Sequence, residues 1–221
     1  MSEATWAAVD EYVLSKLIGE DPALAAAMDD RRAADMPEIE VSPIEGMHLH
    51  LLARMSGAKR ILEVGTLAGY STIWLARAVP DDGRVVTLEL DPKHAAVARK
   101  NVDRADVGDK VEILEGQALA SLEQLGAAGG EPFDFVFIDA DKENNPPYFQ
   151  WAMRLGRPGT VIVVDNVARR GKLADASSDD PSVNGVRQMF DLIENEPRVD
   201  ATAIQTVGAR GYDGFLIAIM R

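Results

Sequence analysis

Apolar residues recur along this chain with two periods, and the switches between them mark its elements. Trp6, Val9, Val13 and Leu17 fall on one face of a helix over 5–18. Asp21-Pro22 restarts a second helix, with an acidic cap and proline in the first turn. After an extended link around Pro37, Ser42-Pro43-Ile44-Glu45 is a capping box. Ile44, Met47, Leu51 and Met55 then share a face up to Gly57. From there short apolar runs of strand length alternate with helical stretches. The runs are 61–64, 84–90, 111–114, 133–138 and 160–164. The helices between them are one that follows the caps Ser71 and Thr72 through Ala78, then 91–104, 118–125 and 148–155, with one more at 183–193. Two last strands, 201–207 and 215–220, read as an antiparallel hairpin joined by a glycine loop over 208–214. The polar segment 169–181 reads as a mobile loop.

Strand–helix alternation of this kind predicts an α/β fold, a doubly wound seven-stranded mixed sheet behind a helical N-terminal prelude. The expected organisation is one domain over 1–221, with the prelude at 1–57 and the α/β core at 58–221. Composition is that of an ordinary globular protein, 47% hydrophobic and 27% charged. Charge is more selective: 23 basic against 36 acidic residues leaves −13, which argues against nucleic acid or an anionic membrane as partner and suits cations. The absence of cysteine excludes disulfides, thiolate metal sites and a cysteine nucleophile. With no apolar leader and no run of membrane-spanning length, a cytoplasmic protein is expected.

The stretch 60–77 organises the chain. A buried strand ends in Glu63-Val64, a tight turn runs from Gly65 to Gly69, and Ser71 and Thr72 read as caps of the next helix. Strand, glycine turn and helix are how a doubly wound sheet opens a nucleotide site. Leu67 and Tyr70 stand where a dinucleotide turn needs its second and third glycines, so a pyrophosphate cannot sit as closely there. A carboxylate at Glu63 suits a cationic ligand better than a phosphate. The pattern E-x-G-x-x-x-G resembles the S-adenosylmethionine site of class I methyltransferases.

Ligands of an open parallel sheet bind at the carboxyl ends of its strands, and the other informative residues lie there. Glu89 ends the second strand, 24 residues after Gly65, where a carboxylate can hold two ribose hydroxyls. Gly116 permits a close turn, and the amides near Gln117 and Ala118 can meet an adenine. Asp139 ends the fourth strand, Asp165 and Asn166 the fifth. These are three converging hard oxygen donors of a kind that suits Mg²⁺, Mn²⁺ or Ca²⁺. Lys142, three residues past Asp139, is placed to act as a general base, and Asp141 is either a second acid of the site or a partner of Lys142. His48 and His50 lack metal spacing and read as surface or boundary residues. Arg169 and Arg170 would shape the substrate entrance.

Taken together, 61–71 (ILEVGTLAGYS), Phe137-Ile138-Asp139-Ala140-Asp141-Lys142, Val164-Asp165-Asn166 and Val41-Ser42-Pro43-Ile44-Glu45-Gly46 resemble the cation-dependent small-molecule O-methyltransferases. That family includes the catechol and caffeoyl-CoA O-methyltransferases. The resemblance implies a Rossmann-like methyltransferase fold and a homodimer. It implies S-adenosylmethionine contacts from Val41, Glu63, Gly65, Ser71, Glu89, Ala118 and Asp139. It further implies a divalent cation, Mg²⁺ first, on Asp139, Asp165 and Asn166, with Lys142 as the base. The expected reaction is methylation of a vicinal-dihydroxy aromatic small molecule. The alternatives are an NAD-dependent dehydrogenase, which the glycine spacing opposes, a phosphatase with Asp139 as nucleophile, and a non-catalytic cofactor-binding dimer.

Overall fold

In the computed structural model, which describes residues 2–221, adjacent residues of the central strand feed two separate cores. Ile61 and Leu62 of β1 (Arg60–Val64) point to opposite faces of the sheet, as do Phe135 and Val136 of β4 (Phe135–Ile138). A strand buried on both faces reads as a continuous apolar run rather than an alternation. One core gathers Leu62, Val64, Val136 and Ile138; the other gathers Ile61, Phe135 and Phe137. The remaining strands are β2 (Arg84–Glu89), β3 (Val111–Glu115), β5 (Val161–Val164), β6 (Val199–Gly208) and β7 (Gly211–Met220).

The order across the sheet is β3-β2-β1-β4-β5-β7-β6, with β7 antiparallel to both neighbours. Chain direction across the sheet reverses between β1 and β4, whose register ends at Val64 opposite Ile138. That reversal opens a crevice above their carboxyl ends.

The helices are α1 (Glu3–Val13), α2 (Pro22–Ala33), α3 (Pro43–Met55), α4 (Tyr70–Ala78), α5 (Pro92–Arg104), α6 (Ala118–Ala128), α7 (Asn145–Leu155) and α8 (Pro181–Glu194). Side chains of α2, α3, α4 and α5 pack with Ile61 and Phe137, while those of α6, α7 and α8 pack with Leu62 and Ile138. Both faces of the sheet are thus covered. Asp21 caps α2 through the amides of Ala23 and Leu24 and also pairs with Arg77 of α4 at 2.6 Å, which ties the prelude to the core. The capping box of α3 forms as the sequence predicts, Ser42 Oγ accepting from the Glu45 amide and Glu45 accepting from the Ser42 amide. No helix among the described residues is long and apolar enough to cross a membrane.

Three local expectations are corrected. The face of α1 buries no residue, and Val9, Tyr12 and Leu17 are exposed. The segment 169–181 is not a loose loop. A 3₁₀ stretch covers Arg169–Ala174, and the guanidinium of Arg187 donates to the carbonyls of Lys172, Leu173, Asp175 and Ser178. The glycine loop 208–214 is mostly strand, with Gly208 paired to Gly211 so that only Ala209 and Arg210 turn. Gly214 belongs in β7 because a Cβ there would lie 2.5 Å from the Ile204 carbonyl.

Candidate active site

The turn after β1 is built from beneath. Glu63 is fully buried, and its carboxylate accepts hydrogen bonds from Ser71 Oγ (2.6 Å), Thr72 Oγ1 (2.5 Å) and Thr87 Oγ1 (2.7 Å). Ser71 and Thr72 therefore do not cap α4. That helix starts from Gly69 in the left-handed region, φ 79°, with no side-chain cap. Gly65, at φ 104°, is required on a second count: a Cβ would stand 2.4 Å from the Asp139 carbonyl. Glu63 thus lies beneath the glycine turn and is not among the residues that line the crevice. Its role is to hold the first turn of α4 and the neighbouring strand in place.

Burial drives the Glu63 carboxyl up from 4.5 to about 7; the three hydroxyls offset part of this and the Asp139 charge adds to it. The fold therefore binds this proton more tightly than the unfolded chain does. The extra stability is complete below the unfolded value and is lost as pH rises through the folded one. Relative to Glu63→Gln, the parent should lose up to roughly 3 kcal/mol between about pH 5 and about pH 8. Urea unfolding of both proteins at the two pH values checks this. A gap that stays constant would show that Glu63 titrates normally.

Above this layer lies a cavity of about 890 Å³ lined by Val41, Gly65, Ser71, Glu89, Ala118 and Asp139, six of the seven residues expected at a cofactor. Glu89 is oriented by two backbone amides, Leu67 N on one oxygen (2.8 Å) and Asp91 N on the other (2.9 Å). Gln117 gives α6 no side-chain cap, so the first-turn amides beside Ala118 stay free for a ligand. Tyr70, His94 and Tyr148 also line the cavity and escape sequence reasoning, because only the packing of their helices turns them inward. Asp141 is not a partner of Lys142: it accepts from Tyr148 Oη (2.6 Å) and from Asn144 Nδ2 (2.5 Å). Burial and that carboxylate raise the Tyr148 phenol.

A second cavity, about 870 Å³, opens on the other side of Asn166. Its walls include α3, Phe137, Asp165, Phe215 and the β6–β7 turn, and it shares Val41, Asn166 and Arg169 with the first. The turn is fastened over it: Asp10 accepts from the Ala209 amide (2.7 Å) and Arg210 pairs with Glu40 (3.1 Å). His48 is a residue the sequence reading underrates. It lines this cavity against the Phe215 ring, centroids 4.7 Å apart, and its Nε2 has no hydrogen-bond partner. His50 does stay at a boundary, its Nδ1 at 3.1 Å from the Trp74 carbonyl.

The charged groups are divided between the cavities: Asp139 and Lys142 line the first, Asp165 the second, and Asn166 both. Lys142 is 7% exposed, and its Nζ donates to Asp139 Oδ1 at 2.7 Å. Asp165 accepts from the Asn166 amide at 2.7 Å, and Asn166 holds the left-handed region at φ 56°. Burial, then the Asp139 charge, push the Asp165 carboxyl well above its ordinary value, and Lys142 offsets this only in part. Among the described residues no three His, Cys, Asp or Glu side chains gather as a metal cluster; the donors here are two carboxylates and an amide. Two partly buried acids facing one ammonium leave uncompensated negative charge, and the donors are hard oxygens, so the residues fit a divalent cation.

A mixed, doubly wound sheet with a buried carboxylate ending β2 beside a glycine turn, and two cavities that meet at Val41 and Asn166, is the architecture of a nucleotide-cofactor enzyme. Comparison with known proteins is specific. Residues 19–217 match the O-methyltransferase family. The chain is 52% identical to a catechol O-methyltransferase of Niastella koreensis over the full length of both, and 55% identical to one of Mycobacterium tuberculosis over 96% of this chain and 95% of the other. Its structure superposes on an O-methyltransferase of Bacillus cereus in complex with SAH at TM-score 0.98 and 54% identity, over the whole of both chains. It superposes on TomG of Streptomyces achromogenes, an O-methyltransferase of tomaymycin synthesis in complex with SAM, at 0.96 and 47%, over 100% and 99%. The chain belongs to the O-methyltransferase family and is an S-adenosylmethionine-dependent enzyme. The dehydrogenase, phosphatase and non-catalytic alternatives are set aside.

Proposed function

We propose that this enzyme methylates one hydroxyl of a vicinal-dihydroxy aromatic small molecule, with a divalent cation at Asp139, Asp165 and Asn166 and with Lys142 as general base. The observation that carries the reading is the placement of Lys142. Its amine is buried in the wall of the first cavity, on the carboxylate of Asp139, and its charge acts on Asp165, which lines the second. The names of the two catechol O-methyltransferases support the acceptor class.

A Mg²⁺ ion on those three donors, or Mn²⁺ or Ca²⁺, would supply Lewis acidity that makes a neighbouring hydroxyl easier to deprotonate. The chain does the rest. Glu89, fixed by two amides, receives the ribose hydroxyls. Phe137 and Phe215 wall the acceptor ring. Lys142 Nζ takes the proton of the acceptor hydroxyl, and the oxygen attacks the methyl carbon of the sulfonium, the O–CH₃ bond forming as the S–CH₃ bond breaks and S-adenosylhomocysteine leaves. Holding the two reactants in adjoining cavities supplies the alignment that an in-line displacement needs.

Mass spectrometry of products from catechol, resorcinol and phenol tests the acceptor class. Methylation of catechol with little of the other two is expected. Equal turnover of phenol would show that adjacent hydroxyls are not what the site reads.

A further inference from the structure

The acceptor cavity is lined by six acids and three arginines, and two of those arginines pair with none of the acids. Every carboxylate has a hydrogen-bond or ion-pair partner, though among the described residues only Glu38 and Glu40 pair with a cation. Glu38 and Glu40 face Arg31, and Glu40 also faces Arg210. Asp10 accepts the Ala209 amide, Glu45 the Ser42 amide, Asp165 the Asn166 amide and Asp213 the Arg169 amide. Two guanidiniums on the same wall have no acid. Arg170 lines the cavity, is exposed and makes no ion pair or side-chain hydrogen bond. Arg169 donates only to Ser182 Oγ (3.0 Å), and its Nε is buried without a partner.

The backbone is bent to place them. Arg169 and Arg170 both occupy the left-handed region, at φ 51° and 55°, where a residue with a Cβ costs of order 1–3 kcal/mol. Of the non-glycine residues with positive φ, Leu67, Asn166, Arg169 and Arg170 all line one cavity or the other. Arg187 clamps the carbonyls that follow, so the strain is held rather than relaxed. Strain retained at two consecutive arginines, with guanidiniums left unpaired, points to a ligand. They also follow Asn166 by three and four residues, so an acceptor whose hydroxyls sit at Asp139 and Asp165 extends toward them.

We propose that the acceptor is an ortho-dihydroxyaromatic acid whose carboxylate is received by Arg169 and Arg170. A planar guanidinium matches a carboxylate with paired donors, and a partly enclosed cavity strengthens the interaction. This inference rests on the vicinal-diol reading above and narrows it to anionic members of the class.

The test compares the full-length enzyme, with S-adenosylmethionine and Mg²⁺, on 3,4-dihydroxybenzoate, its methyl ester and 3,4-dihydroxyphenethylamine. The ester removes the charge; it also withdraws electrons more than a carboxylate and so eases deprotonation, which biases the chemical step toward the ester and makes a preference for the acid the stricter result. The parent should favour the acid over the ester by about tenfold or more in kcat/KM, mostly through KM, the scale of one charge-assisted hydrogen bond. Arg170→Gln should shrink that ratio, and Arg170→Glu should turn the preference toward the amine. Arg170 is exposed and unbonded, so its variants should fold. Equal kcat/KM for acid and ester in the parent would overturn the inference, as would a preference unchanged in both Arg170→Gln and Arg169→Gln. A parent that methylates the ester but not the acid better still satisfies the diol reading; one that methylates none of the three, nor catechol, defeats that reading instead.

Discussion

Chelation with EDTA is expected to bring methyl transfer to background, Mg²⁺ or Mn²⁺ to restore it in the parent, and neither ion to restore it in Asp165→Ala. The expectation rests on charge that the fold leaves uncompensated. Asp139 and Asp165 end neighbouring strands, β4 and β5, whose register brings Ile138 opposite Val164. Both acids therefore emerge at one level of the sheet, and the carboxyl of Asp165 is raised by burial and by Asp139. Lys142 supplies a single counter-charge. Removing Asp165 takes away a hard donor and much of the field that would retain a divalent ion. Calorimetric titration with Mg²⁺ gives a readout apart from turnover: the parent should bind and Asp165→Ala should not. Undiminished activity in excess chelator would remove the cation from the mechanism.

Lys142→Ala should lose about 10²–10⁴-fold in kcat while keeping its affinity for S-adenosylmethionine, the usual range for loss of a general base. Lys142 lines the same cavity as Glu89 and Ala118 but its amine bonds only Asp139, so the groups at Glu89 and Ala118 are left in place. Lys142→Arg should recover little, because arginine keeps its proton and cannot accept another. The substitution also removes the counter-charge of Asp139, so a folding check is needed; an unchanged thermal midpoint with lost kcat isolates the chemical role. A Lys142→Ala enzyme that retains most of the parent kcat would leave Lys142 with only the task of orienting Asp139.

The skeleton of the site was readable because each part depends on local pattern. The apolar run into Gly65, and acids at the ends of runs 84–90, 133–138 and 160–164, put Glu89, Asp139 and Asp165 at strand ends without reference to anything distant. What escaped depends on contacts across the chain. Glu63 stands beside the glycine turn in sequence, and only the fold shows that Thr87, 24 positions later, donates to its carboxylate. His48 sits on the expected helix, and only Phe215, paired to β6 within the last hairpin, shows which cavity it faces. Composition made 169–181 look loose because nothing local announces that Arg187 will bind four of its carbonyls.

The fastening of Ala209 to Asp10, and of Arg210 to Glu40, separates the two pockets in evolutionary terms. The cofactor pocket draws on positions 37–182, a continuous middle of the chain, whereas the acceptor pocket needs positions 10 and 206–215 from either side of it. Substitutions in the early helix and the late hairpin can therefore recut the shape of the acceptor while the machinery that holds the methyl donor stays untouched. An ancestral enzyme of this architecture could diversify its chemistry toward new aromatics by drift in those two regions alone, with no interval in which the donor is lost.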